Sequence, residues 1–314
     1  MLKRDEQRLL TKIATLYYTE NQKQSDIAKQ LDLSQSFVSR ALSRCVKEGI
    51  VKISVVQPAN VYLNLESVIQ QKYGIAQAIV VDVDEHAGDE AIKTAIGAAA
   101  AHYLQTTLHA NELVGVSAWS GTIRSMVEQL HPLTIKADGV VQLLGGVGVN
   151  GNIQATMLTH SLANLLNCPP YLLPSQSIER TVDYKRNLMR TDEVGGVVEM
   201  FKNVTLALVG IGMLEPSVLL KNSGNYYQQD MLTTLAERGA VGDICLHYFD
   251  ADGVPVLNEE EDPVIGMDLA LVKQCPRVVA MAGGVDKAQA IKGALAGGYI
   301  NVLIIDKTTA KLLI

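Results

Sequence analysis

The chain lacks the patterns that mark disulfide-rich and metal-binding proteins. Its four cysteines, Cys45, Cys168, Cys245 and Cys275, are widely spaced and form no C-x-x-C pair, so we expect buried thiols rather than disulfides or a zinc site. None of the six histidines has a ligand spacing such as H-x-x-x-H. We therefore predict neither a metal nor a cofactor.

Long apolar runs are also missing. The first residues, MLKRDEQRLLTK, contain no apolar signal-peptide segment, and no run approaches the roughly 18 apolar residues that span a bilayer. No internal repeat or low-complexity segment occurs. With 48% hydrophobic and 19% charged residues among 314, we expect a folded cytoplasmic protein of two domains with no membrane partner.

The overall charge is acidic but unevenly distributed. The net charge is -6, yet residues 1–60 hold ten Lys or Arg against six Asp or Glu, a balance of +4. The rest of the chain therefore carries 17 basic and 27 acidic residues, a balance of -10. Any surface that attracts nucleic-acid phosphates must lie in the N-terminal segment.

Residues 24–47, QSDIAKQLDLSQSFVSRALSRCVK, have the pattern of two short helices joined by a tight turn. Ser25 is placed to cap the first helix and Ser34 or Gln35 the second, because small polar side chains there accept hydrogen bonds from unpaired backbone donors. Apolar stripes at helical spacing lie on either side of the turn: Ile27, Ala28 and Leu31, then Phe37, Val38, Ala41, Leu42 and Cys45. This pattern predicts a helix-turn-helix.

The outward face of the second helix is polar and suits a double-stranded DNA operator. The residues predicted to contact DNA are Gln24, Ser25, Ser34, Gln35, Ser36, Ser39, Arg40, Arg44 and Lys47. We expect Gln35, Ser36, Ser39 and Arg40 to read base edges, with the backbone contacted from Gln24, Ser25, Arg44 and Lys47. A pair of amphipathic core helices with a solvated, serine-rich face is the competing interpretation.

The flanking sequence completes a small domain. Apolar positions between residues 9 and 17 predict a preceding helix, and residues 50–56, IVKISVV, alternate as a strand that would form a wing. The following Gln57-Pro58-Ala59-Asn60 breaks the pattern. We therefore predict a small all-α, winged helix-turn-helix domain at residues 1–56, a linker at 57–60, and a second domain at 61–314.

The sequence pattern changes in the second domain. Short runs of Val, Leu and Ile recur, each followed by a glycine-rich or polar turn and a helical segment. This alternation predicts an α/β doubly wound domain with a mostly parallel sheet. The predicted strands are residues 78–83, 113–116, 140–144, 206–211, 278–282 and 302–305.

Small residues follow four of these strands, where ligands bind in parallel sheets. They are Ser120-Gly121-Thr122, Gly145-Gly146, Gly210-Ile211-Gly212 and the Gly283-Gly284 pair before Lys287. Glycine lets the backbone approach an anion, and we place Thr122 and Lys287 on a phosphate. Asp243 could accept hydrogen bonds from sugar hydroxyls. Each turn could equally be a plain strand-to-helix connection, and Asp243 a simple turn cap.

Nearly the whole chain, from about Leu9 to Leu313, resembles the SorC family of bacterial transcriptional regulators. The matching stretches are Q-x-x-I-A-x-x-L with Val38-Ser39-Arg40, the turn around Trp119-Ser120-Gly121-Thr122, GAVGDI with FDADG, and AGGVDKAQAIKGALAGGYINVLIIDKTTA. The last two blocks are quite specific. Tyr17-Tyr18 extends the similarity to the family's regulators of phosphorylated autoinducer-2 and of sorbose uptake.

The resemblance implies a homo-oligomer, usually a tetramer, whose effector is a phosphorylated sugar and whose second domain is similar to ribose-phosphate isomerases and glucosamine-phosphate deaminases. It assigns the phosphate to Ser120-Gly121-Thr122, Gly146, Gly212 and Lys287, and the sugar hydroxyls to Asp243. Two residues depart from the family pattern. Ser120 replaces a glycine found in many members, and Leu144 replaces a basic side chain found in some, which argues against effectors recognised through that charge.

An effector-controlled DNA-binding regulator of a carbohydrate-related operon is the leading hypothesis, with no catalytic residue assigned. Two alternatives remain open. One is a sugar-phosphate isomerase or deaminase with an appended helix-turn-helix, in which Asp243 and Lys287 act as acid and base. The other is a DNA-binding protein whose second domain only oligomerises.

Overall fold

The computed structural model describes residues 4–53, 58, 61–148 and 151–314. The chain divides into two compact units, residues 1–59 and 60–314. Each unit has its own cluster of buried apolar side chains. Within the described ranges, no helix combines the length and apolar character needed to cross a membrane.

The described part of the first unit contains three α-helices, namely α1 (Arg4–Ala14), α2 (Gln24–Leu31) and α3 (Gln35–Lys47). A π-helical turn, Thr15–Thr19, follows α1 directly. The apolar faces of the three helices pack together, and Ile13, Ile27 and Val38 have no exposed surface. The two helices predicted within residues 24–47 are therefore present.

The turn between α2 and α3 is set by two polar residues. Asp32 adopts a left-handed conformation with φ 54° and ends α2. Ser34 caps α3, since its hydroxyl oxygen accepts a 3.2 Å hydrogen bond from the Phe37 N–H. The predicted cap at Ser25 is wrong, because α2 already begins at Gln24 and Ser25 lies inside its first turn.

Two further expectations for this unit need correction or lie outside the described residues. Phe37 does not join the buried stripe and is 38% exposed, because it lies one residue, or about 100°, around the helix from Val38. Residues 50–53 form no strand, and residues 54–56 of the predicted wing lie outside the described residues. The predicted linker, 57–60, also lies outside them except for Pro58.

The second unit alternates strands and helices. Its described helices are α4 (Leu63–Tyr73), α5 (Asp89–Thr107), α6 (Gly121–Gln129), α7 (Gly151–Leu165), α8 (Val182–Leu188), α9 (Asp192–Met200), α10 (Val218–Ser223), α11 (Gln229–Glu237), α12 (Leu269–Gln274), α13 (Ala288–Ala296) and α14 (Lys307–Lys311). Its described strands are β1 (Gln77–Val81), β2 (Leu113–Val116), β3 (Gly139–Gln142), β4 (Pro170–Tyr171), β5 (Leu206–Gly210), β6 (Gly212–Met213), β7 (Gly242–Ile244), β8 (His247–Phe249), β9 (Arg277–Met281) and β10 (Val302–Asp306).

Seven of the described strands form one parallel sheet in the order β1-β10-β9-β5-β2-β3-β4. The six strands predicted from apolar runs are all in it, shifted by no more than two residues at either end. Strands β2, β3, β5, β9 and β10 are almost wholly buried, which explains why their sequences are continuously apolar. The mostly parallel α/β domain is confirmed.

Strands β6, β7 and β8 form a small antiparallel sheet that the sequence pattern did not predict. They are two or three residues long, too short to show a period. The turn from β7 to β8 contains two non-glycine residues with positive φ, Cys245 at 52° and Leu246 at 63°. This turn holds Asp243 at the end of the molecule where the parallel strands finish.

Candidate functional site

The outward face of α3 is polar. Val38, Ala41, Leu42 and Cys45 are buried within the first unit, so the opposite face is left to solvent. Its exposed residues are Gln35, Ser36, Ser39, Arg40, Ser43 and Lys47. Among residues 4–53, no acidic side chain lies within ion-pair distance of Arg40 or Lys47. Both cations are therefore available to an anionic partner.

Four residues predicted to contact DNA have other partners or are partly covered. Arg44 forms ion pairs of 2.6 Å with both Glu6 and Glu48, and these hydrogen bonds raise the pKa of its guanidinium. Ser34 is engaged as the cap of α3. Gln24 and Ser25 are half-buried at the start of α2. The residues predicted to contact base edges are therefore still Gln35, Ser36, Ser39 and Arg40, which are exposed on α3.

The predicted effector site is built around the N-terminus of α6. Ser120 caps this helix, because its hydroxyl oxygen accepts a 3.3 Å hydrogen bond from the Ile123 N–H. Gly121 and the buried Thr122 follow as its first two residues. Backbone N–H groups at the start of a helix have no partner within the helix, and the helix dipole favours an anion there.

The end of strand β5 places Gly210 and Ile211 beside the start of α6. This strand pairs with β2, so its end lies beside the start of α6. A Cβ on Gly210 would lie 2.9 Å from the Ser120 hydroxyl oxygen, which makes glycine the residue that fits. Beyond Gly210, the Ile211 carbonyl oxygen accepts a 3.0 Å hydrogen bond from Lys287 Nζ.

Lys287 reaches this carbonyl from the turn after β9, the neighbour of β5. Gly284 in that turn has φ 97°, which favours glycine. The Gly284 N–H donates a 2.9 Å hydrogen bond to Asp306 Oδ1 and so ties the turn to the end of β10. Burial lowers the pKa of Lys287, while the nearby carboxylates of Asp89 and Asp243 act in the opposite direction.

Asp243 lies opposite Gly212 in the pairing of β6 with β7. Its carboxylate occupies the space that a side chain at residue 212 would need. Asp243 Oδ2 accepts a 2.9 Å hydrogen bond from the Leu246 N–H. Burial raises the pKa of Asp243 to about 6, although that hydrogen bond, Lys287 and His247 act in the opposite direction. The carboxyl group is thus held near Lys287 without a direct ion pair.

The other glycine pair serves a different purpose. The Gly145 N–H donates to the Ile265 carbonyl oxygen at 3.0 Å, and the Gly146 N–H donates to the Ser175 carbonyl oxygen at 2.9 Å. The Gly145 carbonyl oxygen accepts from Trp119 Nε1 at 3.1 Å, so the buried Trp119 is a core residue. These two glycines allow close packing, and their backbone N–H groups are not free for an anion.

Comparison with known proteins agrees with this architecture. Residues 57–314 match the family profile described as "Putative sugar-binding domain". The full chain is 32% identical to the deoxyribonucleoside regulator of Bacillus subtilis (strain 168), covering 99% of this chain and 98% of that protein.

The chain belongs to the SorC family of transcriptional regulators.

Two solved structures extend the comparison. Full-length sorbitol operon regulator SorC from Klebsiella pneumoniae is 27% identical, with a TM-score of 0.72 and 98% of both chains covered. The sugar-binding domain of the transcriptional regulator DeoR from Pseudomonas syringae pv. tomato is 49% identical, with a TM-score of 0.65, and covers 80% of this chain and 98% of its own. These relatives are named as transcriptional regulators, not enzymes.

Sequence reasoning missed one cation beside the α6 N-terminus of this SorC-family protein. Lys93 lies on α5, and its Nζ would be 3.6 Å from a Cβ placed on Gly121. Burial alone would lower the pKa of Lys93, but Asp89 and Glu90 raise it above the ordinary value. No motif marks this lysine, because only the packing of α5 against α6 places it there.

Two cavities, of about 640 and 590 Å³, lie elsewhere in the second unit. None of the predicted effector-binding residues lines either of them. The larger contains His247, whose Nδ1 lies 2.6 Å from Asp262 Oδ2. The candidate site is therefore defined by converging polar groups at the strand ends and not by either of these cavities.

Proposed function

We propose that this chain is a DNA-binding transcriptional regulator of a carbohydrate-related operon, and that a phosphorylated sugar bound at the strand ends controls its operator affinity. The observation that carries the proposal is the meeting of three groups at one edge of the sheet. They are the N-terminus of α6, the ammonium of Lys287 and the buried carboxyl of Asp243.

The phosphate would bind at the start of α6. The backbone N–H groups of Gly121 and Thr122 and the Thr122 hydroxyl supply donors there, and the helix end carries roughly half a positive charge. Lys287 has two donors besides the one directed to Ile211. This combination binds a phosphate more strongly than it binds a neutral hydroxyl group.

The sugar would extend towards Asp243. An ionised carboxylate accepts from two hydroxyl donors at once, and Asp243 has one of its oxygens bonded to Leu246. Leu144 is buried where some family members have a basic side chain, so we expect no imine and no charge recognition from that position. The names of the relatives, which refer to deoxyribonucleosides and to sorbitol, are consistent with a small sugar-derived effector.

The first unit would bind the operator. We assign DNA contact to residues 1–56, with α3 in the major groove, and effector binding and oligomerisation to residues 61–314, joined by a linker at 57–60. Because residues 1–60 carry only +4, one copy neutralises few phosphates. A homo-oligomer, which we propose is a tetramer, would supply paired copies of α3 for the two half-sites of an operator. Such a regulator would work in the cytoplasm.

A ligand screen tests the proposal. Thermal unfolding of the full chain should be measured with a panel of sugars and with the same sugars phosphorylated. At least one phosphorylated compound should raise the melting temperature in a saturable way, since a ligand that binds the folded state stabilises it. Its unphosphorylated form should have no effect. If no phosphorylated compound changes the melting temperature, the effector proposal fails.

The enzyme alternative rests on the same two residues. A carboxyl with a raised pKa beside a lysine with a lowered pKa is an arrangement that acid–base catalysis uses. The relatives are named as regulators, and similarity of fold alone does not imply activity. Incubation with ribose 5-phosphate and with glucosamine 6-phosphate decides the matter, because steady turnover of either would favour an enzyme.

A further inference from the structure

A cluster of charges lies beside the start of α6 and was not part of any motif. Lys93 Nζ is 2.5 Å from Asp89 Oδ2 and 2.8 Å from Glu90 Oε1, all on the first two turns of α5. The Lys93 side chain also borders Gly121, where a Cβ would lie 3.4 Å from its Cδ and Cε and 3.6 Å from its Nζ. The ammonium therefore lies close to the first residue of α6.

The packing of two helices fixes this position. Gly97 is one turn beyond Lys93 on α5, and a Cβ there would lie 2.6 Å from the Ser125 hydroxyl oxygen and 2.9 Å from the Met126 nitrogen. Only a glycine allows α5 to approach α6 so closely. The base of the Lys93 side chain is thus held by a helix contact and not by a loop.

Two ammonium groups and the N-terminus of a helix lie close together here. A helix N-terminus carries roughly half a positive charge, so a cation next to it is repelled. Lys93 also interacts with Lys287, which contributes a second ammonium to the same region. Asp89 and Glu90 neutralise Lys93 and raise its pKa above the ordinary value, but their side chains are 69% and 89% exposed, so an anion can compete with them.

We propose that Lys93 is a further effector-binding residue and that Asp89 is an internal counter-ion which the effector phosphate displaces. This inference rests on the proposed function of the same site. A phosphate monoester carries about -1.5 to -2 charges at pH 7 and can therefore compete with Asp89 for the Lys93 ammonium.

Calorimetric titration of the full chain with ribose 5-phosphate and with inorganic phosphate tests the inference. Lys93→Gln should weaken binding of both probes about tenfold, the effect of losing one charge-assisted hydrogen bond. Lys93→Arg should bind within about threefold of the wild type because the charge is kept. Asp89→Asn should tighten binding about threefold, since the competing carboxylate is gone.

The matched control is Lys202→Gln. Lys202 also pairs with an acid three residues earlier, Glu199, but it is 60% exposed and lies outside the candidate site. The affinity of the Lys202→Gln variant for both probes should equal that of the wild type. A purely structural role for Lys93 would not make Asp89→Asn bind more tightly.

The outcomes separate this inference from the proposed function. If the wild type binds ribose 5-phosphate and Lys93→Gln binds it equally well, the role of Lys93 is wrong and the effector site stands. Equal loss of affinity in Lys93→Arg and Lys93→Gln would also contradict the inference. If the wild type binds neither probe at tens of millimolar, both the inference and the phosphate site are overturned.

Discussion

The ammonium of Lys287 donates a 3.0 Å hydrogen bond to the backbone carbonyl oxygen of Ile211. Ile211 follows β5 and Lys287 lies in the turn after β9, so this bond joins the ends of two neighbouring strands. It also directs a largely buried cation to the edge where α6 begins. An anionic effector that engages Lys287 would therefore contact groups from both strand ends at once.

Replacing Lys287 should uncouple the effector from the operator. Lys287→Met removes a charge-assisted contact that is typically worth about 1.5–3 kcal/mol, or about a 10- to 150-fold loss of phosphosugar affinity. Operator affinity without effector should stay within about twofold, because the residues that we assign to DNA contact belong to another compact unit. Titration calorimetry and fluorescence anisotropy measure the two affinities, with Lys202→Met as the control. Equal losses of both affinities would indicate a folding role instead.

Gly212 should be intolerant of a side chain. Gly212→Ala places a methyl group where the Asp243 carboxylate lies, so we expect about 1–3 kcal/mol of destabilisation and weaker effector binding. Gly196→Ala is the matched control, because a Cβ at this position on α9 has no atom within 4 Å. It should stabilise the protein by about 0.5–1 kcal/mol. Urea unfolding of both variants checks the contrast, and equal effects would contradict the described packing.

Asp243 should make stability depend on pH. Its pKa is raised from 3.8 to about 6 in the folded protein, so the folded state holds the proton more tightly than the unfolded chain does. Ionisation of Asp243 therefore reduces the free energy of unfolding as pH rises between about 4 and 6. Asp243→Asn removes this effect, so its stability relative to the wild type should increase by about 1 kcal/mol from pH 5 to pH 7.5.

Urea unfolding at those two pH values provides the measurement. A constant difference between Asp243→Asn and the wild type would show that the carboxyl has no raised pKa. The affinity of the wild type for the effector should increase from pH 5 to pH 7.5, because only the ionised carboxylate accepts from two hydroxyl donors. Asp243→Asn should bind the effector weakly at both pH values.

Arg40 and Arg44 should differ in their importance for DNA. Arg40 is exposed on α3 without an acidic partner among residues 4–53, so Arg40→Ala should cost about 1–3 kcal/mol of operator binding and relax the sequence preference. Arg44 is engaged by Glu6 and Glu48, and Arg44→Ala should have an effect below about threefold. Anisotropy with operator and with scrambled DNA measures both, and a larger effect at Arg44 would reverse the assignment.

The sequence predicts the sheet well where burial dictates composition. Strands buried on both faces must be continuously apolar, and so all six predicted strands exist. Strand β4 has only two residues and begins with Pro170, and β6 has two, so neither leaves a periodic signal. Helix starts differ in the same respect. The cap at Ser34 could be predicted because serine is a common capping residue, but no residue type marks the start of α2 at Gln24.

The grouping of the candidate site residues could be predicted where a local motif fixes their positions. Ser120 at the start of α6 and Lys287 near β5 come together because neighbouring parallel strands end at one edge. Asp243 joins them through the antiparallel pairing of β7 with β6. Lys93 required knowledge of helix packing, which depends on Gly97 beside Ser125. The partners of Arg44 include Glu6, which is distant in sequence. Contacts of this kind leave no signature in a local pattern.

Operator binding in the presence of the effector tests whether a phosphosugar controls the affinity of this chain for DNA. Fluorescence anisotropy of the full chain on its own upstream DNA should be recorded with the phosphosugar that stabilises the protein and with its unphosphorylated form. We expect the phosphosugar to change operator affinity by about 5- to 150-fold, the usual range of allosteric coupling, and the free sugar to leave it unchanged. Unchanged operator affinity at a saturating concentration of the phosphosugar would contradict this expectation.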